Sequence, residues 1–173
     1  MVDVFKRKMP PPQPPTQAGR IECRATVVVP GPPELAWQVI EAPQLALEDP
    51  DVVEADWVGT QRGVGGKQAF VRRNPDGTTT ASVVQILEWD PPRRAVLTTI
   101  SGTLAGFTTG ACFELADLGD GHTRVVHTNW QDYPAGGRPE VLERMRELLQ
   151  DSTDKLAQQV LTAVTRRTSP PAA

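Results

Sequence analysis

Between residues 21 and 29 apolar and polar positions alternate. Ile21, Cys23, Ala25, Val27 and Val29 fall on one side, and Glu22, Arg24 and Thr26 on the other. A repeat of two is the mark of a strand buried on one face. Residues 30–33 (Pro-Gly-Pro-Pro) end it. Proline in a first helical turn gives up no needed hydrogen bond, so a short helix is predicted over 34–40. Leu35, Trp37, Val39 and Ile40 form no narrow stripe, which predicts a helix covered over a wide arc. A second short helix is predicted over 42–47, bracketed by Pro43 and Pro50.

The next hundred residues read as a meander of strands over 52–58, 67–73, 78–89, 95–100, 107–115 and 123–130. Turn residues separate them: Asn-Pro-Asp-Gly at 74–77, Asp-Pro-Pro-Arg at 90–93, Ser-Gly at 101–102, and a glycine and aspartate turn at 117–121. Asp-Gly is the signal of a tight hairpin. Strands joined this closely are antiparallel neighbours. The glycines of 63–66 (Gly-Val-Gly-Gly) lack the Gly-Lys-Ser/Thr of a phosphate loop, and predict a bulge or sharp bend in the sheet.

From Glu140 to Arg166 there is no proline or glycine, and Val141, Met145, Leu148, Leu149, Ser152, Leu156, Val160, Ala163 and Val164 recur at three and four residues. That is an amphipathic helix of about 27 residues, or about 40 Å at ~1.5 Å per residue. Arg166 and Arg167 stand at its end, where cations suit the helix dipole. A helix so long needs a long apolar partner, and the twisted sheet is the one available. The fold class expected is therefore α+β, a helix-grip arrangement. A curved antiparallel sheet wraps round the long C-terminal helix, with two short helices after the first strand.

This order resembles the START-like, or SRPBCC (Bet v 1-like), superfamily. Residues 21–29 followed by 33–37 (Pro-Glu-Leu-Ala-Trp) resemble its first strand and helix. Residues 84–94 (VQILEWDPPRR) resemble its strand ending in a proline and arginine turn. Phe113-Glu-Leu, then 119–126 (GDGHTRVV), resemble its paired late strands. The resemblance covers about residues 20–166. It implies an apolar cavity between sheet and helix, in a class that includes polyketide cyclases and aromatases, lipid and sterol carriers, hormone receptors and chaperone activators. The motifs specify turns and core contacts, so they imply a kind of site and no reaction. One departure is that many relatives carry an aromatic residue after the first helix pair. Here Leu45 and Leu47 stand in that stretch, with no Trp, Phe or Tyr.

Composition narrows the classes. The chain has 173 residues, 39% of them hydrophobic, enough for one domain. Residues 1–18 are rich in proline and glutamine, and are expected to form a disordered tail ahead of a domain over 19–167, with a second frayed end over 168–173. The net charge of −3 argues against nucleic acid as a partner. No segment approaches the ~20 apolar residues of a membrane span, and the basic start has no run resembling a signal peptide. A cytoplasmic location is the expectation. Cys23 and Cys112 are too few for a disulfide scaffold and lie in alternating stretches, as buried free thiols do. Neither they nor His122 and His127 have metal-ligand spacing, and no metal or cofactor is expected. The acidic run Glu48, Asp49, Asp51, Glu54 and Asp56 reads as a solvated face that would repel anionic ligands.

Candidate chemistry lies in polar residues at inward positions. Val125, His127 and Asn129 share one face of their strand, so if Val125 points inward an imidazole and an amide do too. His127 is the candidate catalytic acid or base. Thr109 shares a face with Ala111, Phe113 and Leu115, and Thr99 interrupts another apolar alternation. Either hydroxyl would suit a ligand carbonyl. Met145, Leu149 and Ser152 lie on the inner stripe of the long helix. Tyr133, past the last strand, would stand near a cavity mouth, and Trp37, Trp57, Trp89 and Trp130 belong to core packing or to stacking on a planar ligand. The expected ligand-binding set is thus Thr99, Thr109, Phe113, His127, Asn129, Met145, Leu149 and Ser152. The partner expected is a small hydrophobic or aromatic molecule, lipid or polyketide-like. A cyclase or dehydratase using His127, and a protein interaction module, are the alternatives. Oligomeric state is left open.

Overall fold

A computed structural model describes residues 18–101 and 107–169. The two expected tails, apart from their inner ends, and Gly102 of the expected Ser-Gly turn lie outside these residues. The order of elements is β1 (Gly19–Pro30), α1 (Pro33–Ile40), a 3-10 helix (Pro43–Glu48), β2 (Val52–Val58), β3 (Lys67–Arg73), β4 (Thr79–Asp90), β5 (Arg94–Ser101), β6 (Thr108–Asp117), β7 (His122–Tyr133) and α2 (Pro139–Thr168). The seven strands form one antiparallel sheet in the order β1-β7-β6-β5-β4-β3-β2. The helix-grip fold expected from the sequence is the fold observed. The second short helix is 3-10 rather than α, because six residues held between Pro43 and Asp49 leave no room to extend an α-helical ladder.

β1 buries Ile21, Cys23, Val27 and Val29 and exposes Glu22, Arg24, Thr26 and Val28. Val27 and Val29 share one core cluster with Phe113, Leu115 and Val125 of the late strands, Trp37 and Val39 of α1, and Ala157, Val160 and Val164 of α2. Burying each such aliphatic side chain contributes about 1.5–3 kcal/mol before ordering costs. The buried row of α2 is Thr153, Ala157, Val160 and Val164. Val141 and Leu148, in its first half, are exposed. The stripe expected from the sequence is corrected here: the residue buried at its centre is Thr153, and Ser152 beside it is exposed.

Three irregularities bend the sheet. The ladders shift register at Val53 between β2 and β3, and at Ile100 and Leu87 between β4 and β5. Each of these extra apolar residues is exposed. A bulge adds a residue to one strand and strengthens local twist, which curves the sheet over β2–β5. The glycines of 63–66 are not such a bulge. They lie in the β2–β3 connection, where the Gly65 amide donates to the Ile86 carbonyl and the Ile86 amide to the Gly66 carbonyl. The Asn-Pro-Asp-Gly turn joins β3 to β4, with Gly77 at φ +83°, a conformation that favours glycine. α2 packs on β1, β7, α1 and the 3-10 helix. The interval between α2 and the middle strands is where the site forms.

Candidate functional site

Three adjoining spaces lie between the sheet and α2, and the Leu156 side chain lines all of them. The first, about 160 Å³, is bounded above by Ile40, Pro43 and Leu45 and below by Trp89, Ala95 and Phe113. Its lining is nearly all apolar. Gln68 supplies an amide whose Nε2 donates to the Glu41 carbonyl at 3.1 Å. The second, about 300 Å³, shares Val84, Leu97 and Ala111 with the first and adds Thr99, Thr109, Asn129, Leu149 and Ser152. It stands at the lower end of small-molecule sites, about 300–1,000 Å³. The third, about 260 Å³, continues past Ser152 and Leu156 to Asp49, Arg72, Ser82 and Lys155.

The second space gathers five of the expected residues, and their bonding defines its polarity. The Thr109 hydroxyl donates to Thr99 Oγ1 at 2.8 Å, and Thr98 Oγ1 to the Thr109 carbonyl at 3.1 Å. Opposite them Asn129 Nδ2 donates to Thr153 Oγ1 at 3.2 Å, which in turn donates to the Leu149 carbonyl at 2.6 Å. Gly110 and Trp130 face each other across β6 and β7, and the indole closes the end of this space. Arg20 lies over the same ring at 5.4 Å. Trp37 and Trp89 meet edge to face at 4.8 Å.

His127 points inward with Val125, as the shared face required, and both are fully buried. It is placed behind the lining rather than in it: the described linings include Phe113 but not His127 or Met145. Its ring stacks on Phe113 at 4.6 Å. Nδ1 lies 3.2 Å from the Thr153 carbonyl, which can only accept, so Nδ1 carries the hydrogen. Among the described residues Nε2 is a buried acceptor without a hydrogen-bond partner. Burial pushes the His127 pKa down to about 4, against the opposing effects of the Thr153 carbonyl and the Asn129 side chain. The imidazole is neutral at pH 7.

Two readings of loop chemistry are corrected. Tyr133 belongs to β7, pairs with Gly19, and lays its ring over that glycine. The acidic run is not a uniform solvated face. Asp49 is 5% exposed, with Lys155 Nζ at 2.9 Å, Arg72 at 2.8 Å and the Asp51 amide at 3.1 Å. Burial pushes its carboxyl up, but these donors outweigh it and hold the pKa at about 2. Glu48 is paired with Arg166. The spacing of acids along a chain carries no information about cations arriving from β3 and α2. Leu156, which was in the apolar stripe, and Thr153, Arg72 and Lys155, which carried no signal, complete the site.

Cys23 and Cys112 are free, buried thiols, each with its pKa raised by burial. Among the described residues no three His, Cys, Asp or Glu side chains gather into a metal-binding group, and no helix is long and apolar enough to cross a membrane.

Solved structures share this architecture. A protein from Thermus thermophilus, TTHA0849, is 21% identical, with 86% of this chain and 99% of that one aligned at a TM-score of 0.67. The Zhui aromatase/cyclase from Streptomyces sp. R1128 is 16% identical over 90% and 99% of the two chains, at 0.67. Norcoclaurine synthase from Thalictrum flavum, in complex with dopamine and hydroxybenzaldehyde, is 15% identical over 89% and 91%, at 0.66. At these identities the likeness is one of fold. No curated protein sequence matches the chain. The sequence pattern of polyketide cyclase / dehydrase and lipid transport proteins matches residues 20–161, and with that span covering the sheet and most of α2 the chain belongs to this family, within the SRPBCC superfamily.

Proposed function

We propose that the protein binds a small hydrophobic molecule, aromatic or lipid-like, in the adjoining spaces under α2. The observation that carries this reading is that the first two spaces adjoin, with Val84, Leu97, Ala111 and Leu156 lining both. An apolar chamber walled by Trp89, Ala95 and Phe113 stands beside one that carries the Thr99, Thr109 and Asn129 polar groups, with Leu97 and Leu156 lining both. Apolar burial supplies affinity at roughly 25 cal/mol per Å², less the ordering costs, and the hydroxyls and amide orient a ligand oxygen. The aromatase/cyclase and norcoclaurine synthase neighbours are enzymes on the same fold. A cyclase-like reaction here would need a proton-transfer group at the cavity. His127 lies outside its lining and has a pKa of about 4, so binding is the reading the geometry favours.

The test is fluorescence titration with N-phenyl-1-naphthylamine, a neutral apolar dye, against wild type and Leu149→Glu. Leu149 is partly exposed and lines the second space, so the change is tolerated by the fold and puts charge in the site. Loss of dye binding with an unchanged circular dichroism spectrum is expected. Equal binding by the two proteins would remove the proposed site.

A further inference from the structure

The third space differs from the other two in its charge. Arg72 from β3 and Lys155 from α2 both line it, and both reach a buried carboxylate, Asp49. The oxygens of Asp49 are already engaged: Oδ1 accepts from Lys155 and the Asp51 amide, and Oδ2 accepts from Arg72. An ammonium has three N–H donors and a guanidinium five, so both cations keep donors to spare. Asp51, 3.7 Å from Arg72, is an exposed side chain outside this lining. The lining therefore carries two cations against one acid, each of whose oxygens already accepts a hydrogen bond. The hydroxyls of Ser82 and Ser152 stand in the same wall. Ser152 and Leu156 also border the second space, and Ala46 and Phe70 the first, so the cationic region adjoins both apolar ones.

We infer that these adjoining spaces take an amphipathic organic anion. Its apolar body lies beneath α2, and its carboxylate or other monoanionic head meets Arg72 and Lys155. The inference rests on the binding reading above and names the ligand class. It reverses what the acidic run implied in the sequence, since Asp49 serves to hold two cations at the mouth rather than to repel anions. Charge-assisted hydrogen bonds to such a head are strong, and a half-exposed position weakens them.

The experiment compares two dyes of nearly the same shape: 1-anilinonaphthalene-8-sulfonate, which carries an anionic head, and N-phenyl-1-naphthylamine, which lacks it. In Lys155→Gln and Arg72→Gln the anionic dye is expected to bind about 3- to 10-fold more weakly, with the neutral dye within about twofold of wild type. Asp49→Asn frees both cations while keeping a hydrogen-bonding side chain. It is expected to raise the affinity for the anionic dye relative to the neutral one, a change that a merely structural clamp would not produce. An unchanged ratio of the two affinities in all three variants, with the neutral dye still bound, overturns this inference alone. Failure of the wild type to bind either dye overturns the binding reading and this one with it.

Discussion

The Thr153 carbonyl accepts a hydrogen bond from His127 Nδ1 at 3.2 Å, tying the middle of α2 to β7 inside the core. The same threonine accepts from Asn129 through its hydroxyl, so one residue of α2 holds two of β7. This junction, at the boundary between the packed half of α2 and the half above the cavity, sets how far the helix stands from the sheet.

Its pH dependence follows from His127. The folded-state pKa is about 4, below the ordinary 6.5. As pH falls through 6.5 the unfolded chain takes up a proton that the folded protein refuses until about pH 4. The stability that neutral His127 contributes is thus complete above pH 6.5 and is lost as pH falls from there to about 4, some ~3 kcal/mol in all. Urea unfolding at pH 7.5 and 4.5 measures it. His127→Phe, which keeps a ring against Phe113, is expected to remove most of that dependence. Asp49, with its pKa lowered to about 2 from 3.8, contributes stability that is complete above 3.8 and lost below it, outside this window.

Neighbouring positions on α2 should respond differently. Thr153→Val keeps the shape of a buried side chain and deletes its bonds to Leu149 and Asn129, at a cost of about 1–2 kcal/mol. Ser152→Ala, one residue earlier and exposed, is expected to change stability by less than about 0.5 kcal/mol. Equal effects in thermal unfolding would contradict the orientation of α2.

Leu156 lies where the three spaces meet. Leu156→Trp should fill that junction and reduce binding of the neutral dye at least tenfold, with the fold retained. Unaltered affinity would mean the ligand reaches none of the three spaces through this point.

Gly110 sits under the Trp130 ring, and a Cβ there would also come within 2.7 Å of the Leu97 carbonyl oxygen. Gly110→Ala is expected to destabilise the protein by about 1–3 kcal/mol, since backbone and indole must both move. A denaturation midpoint equal to wild type would show that β5 and β6 are less closely held at this end.

The sequence by itself determined the elements. Strict alternation in β1, the Asn-Pro-Asp-Gly turn and the uninterrupted helical period of α2 are local properties, written in neighbouring residues and readable without the fold. The inward face of β7 was readable too, once Val125 was placed in the core, because period two then carries His127 and Asn129 with it. What only the tertiary structure decided depends on residues distant in the chain. Ser152 and Thr153 differ by about 100° round a helix, and both are small and polar, so the apolar stripe could not choose between them. His127 faces inward yet stands behind Phe113, a distinction of depth that alternation does not encode. Asp49 resembled its acidic neighbours until β3 and α2 brought Arg72 and Lys155 to it. The cavity itself arises because bulges at Val53, Leu87 and Ile100 curl the sheet while α2 is anchored at β1 and β7. Its volume is a difference between two long elements, and no local pattern specifies such a difference.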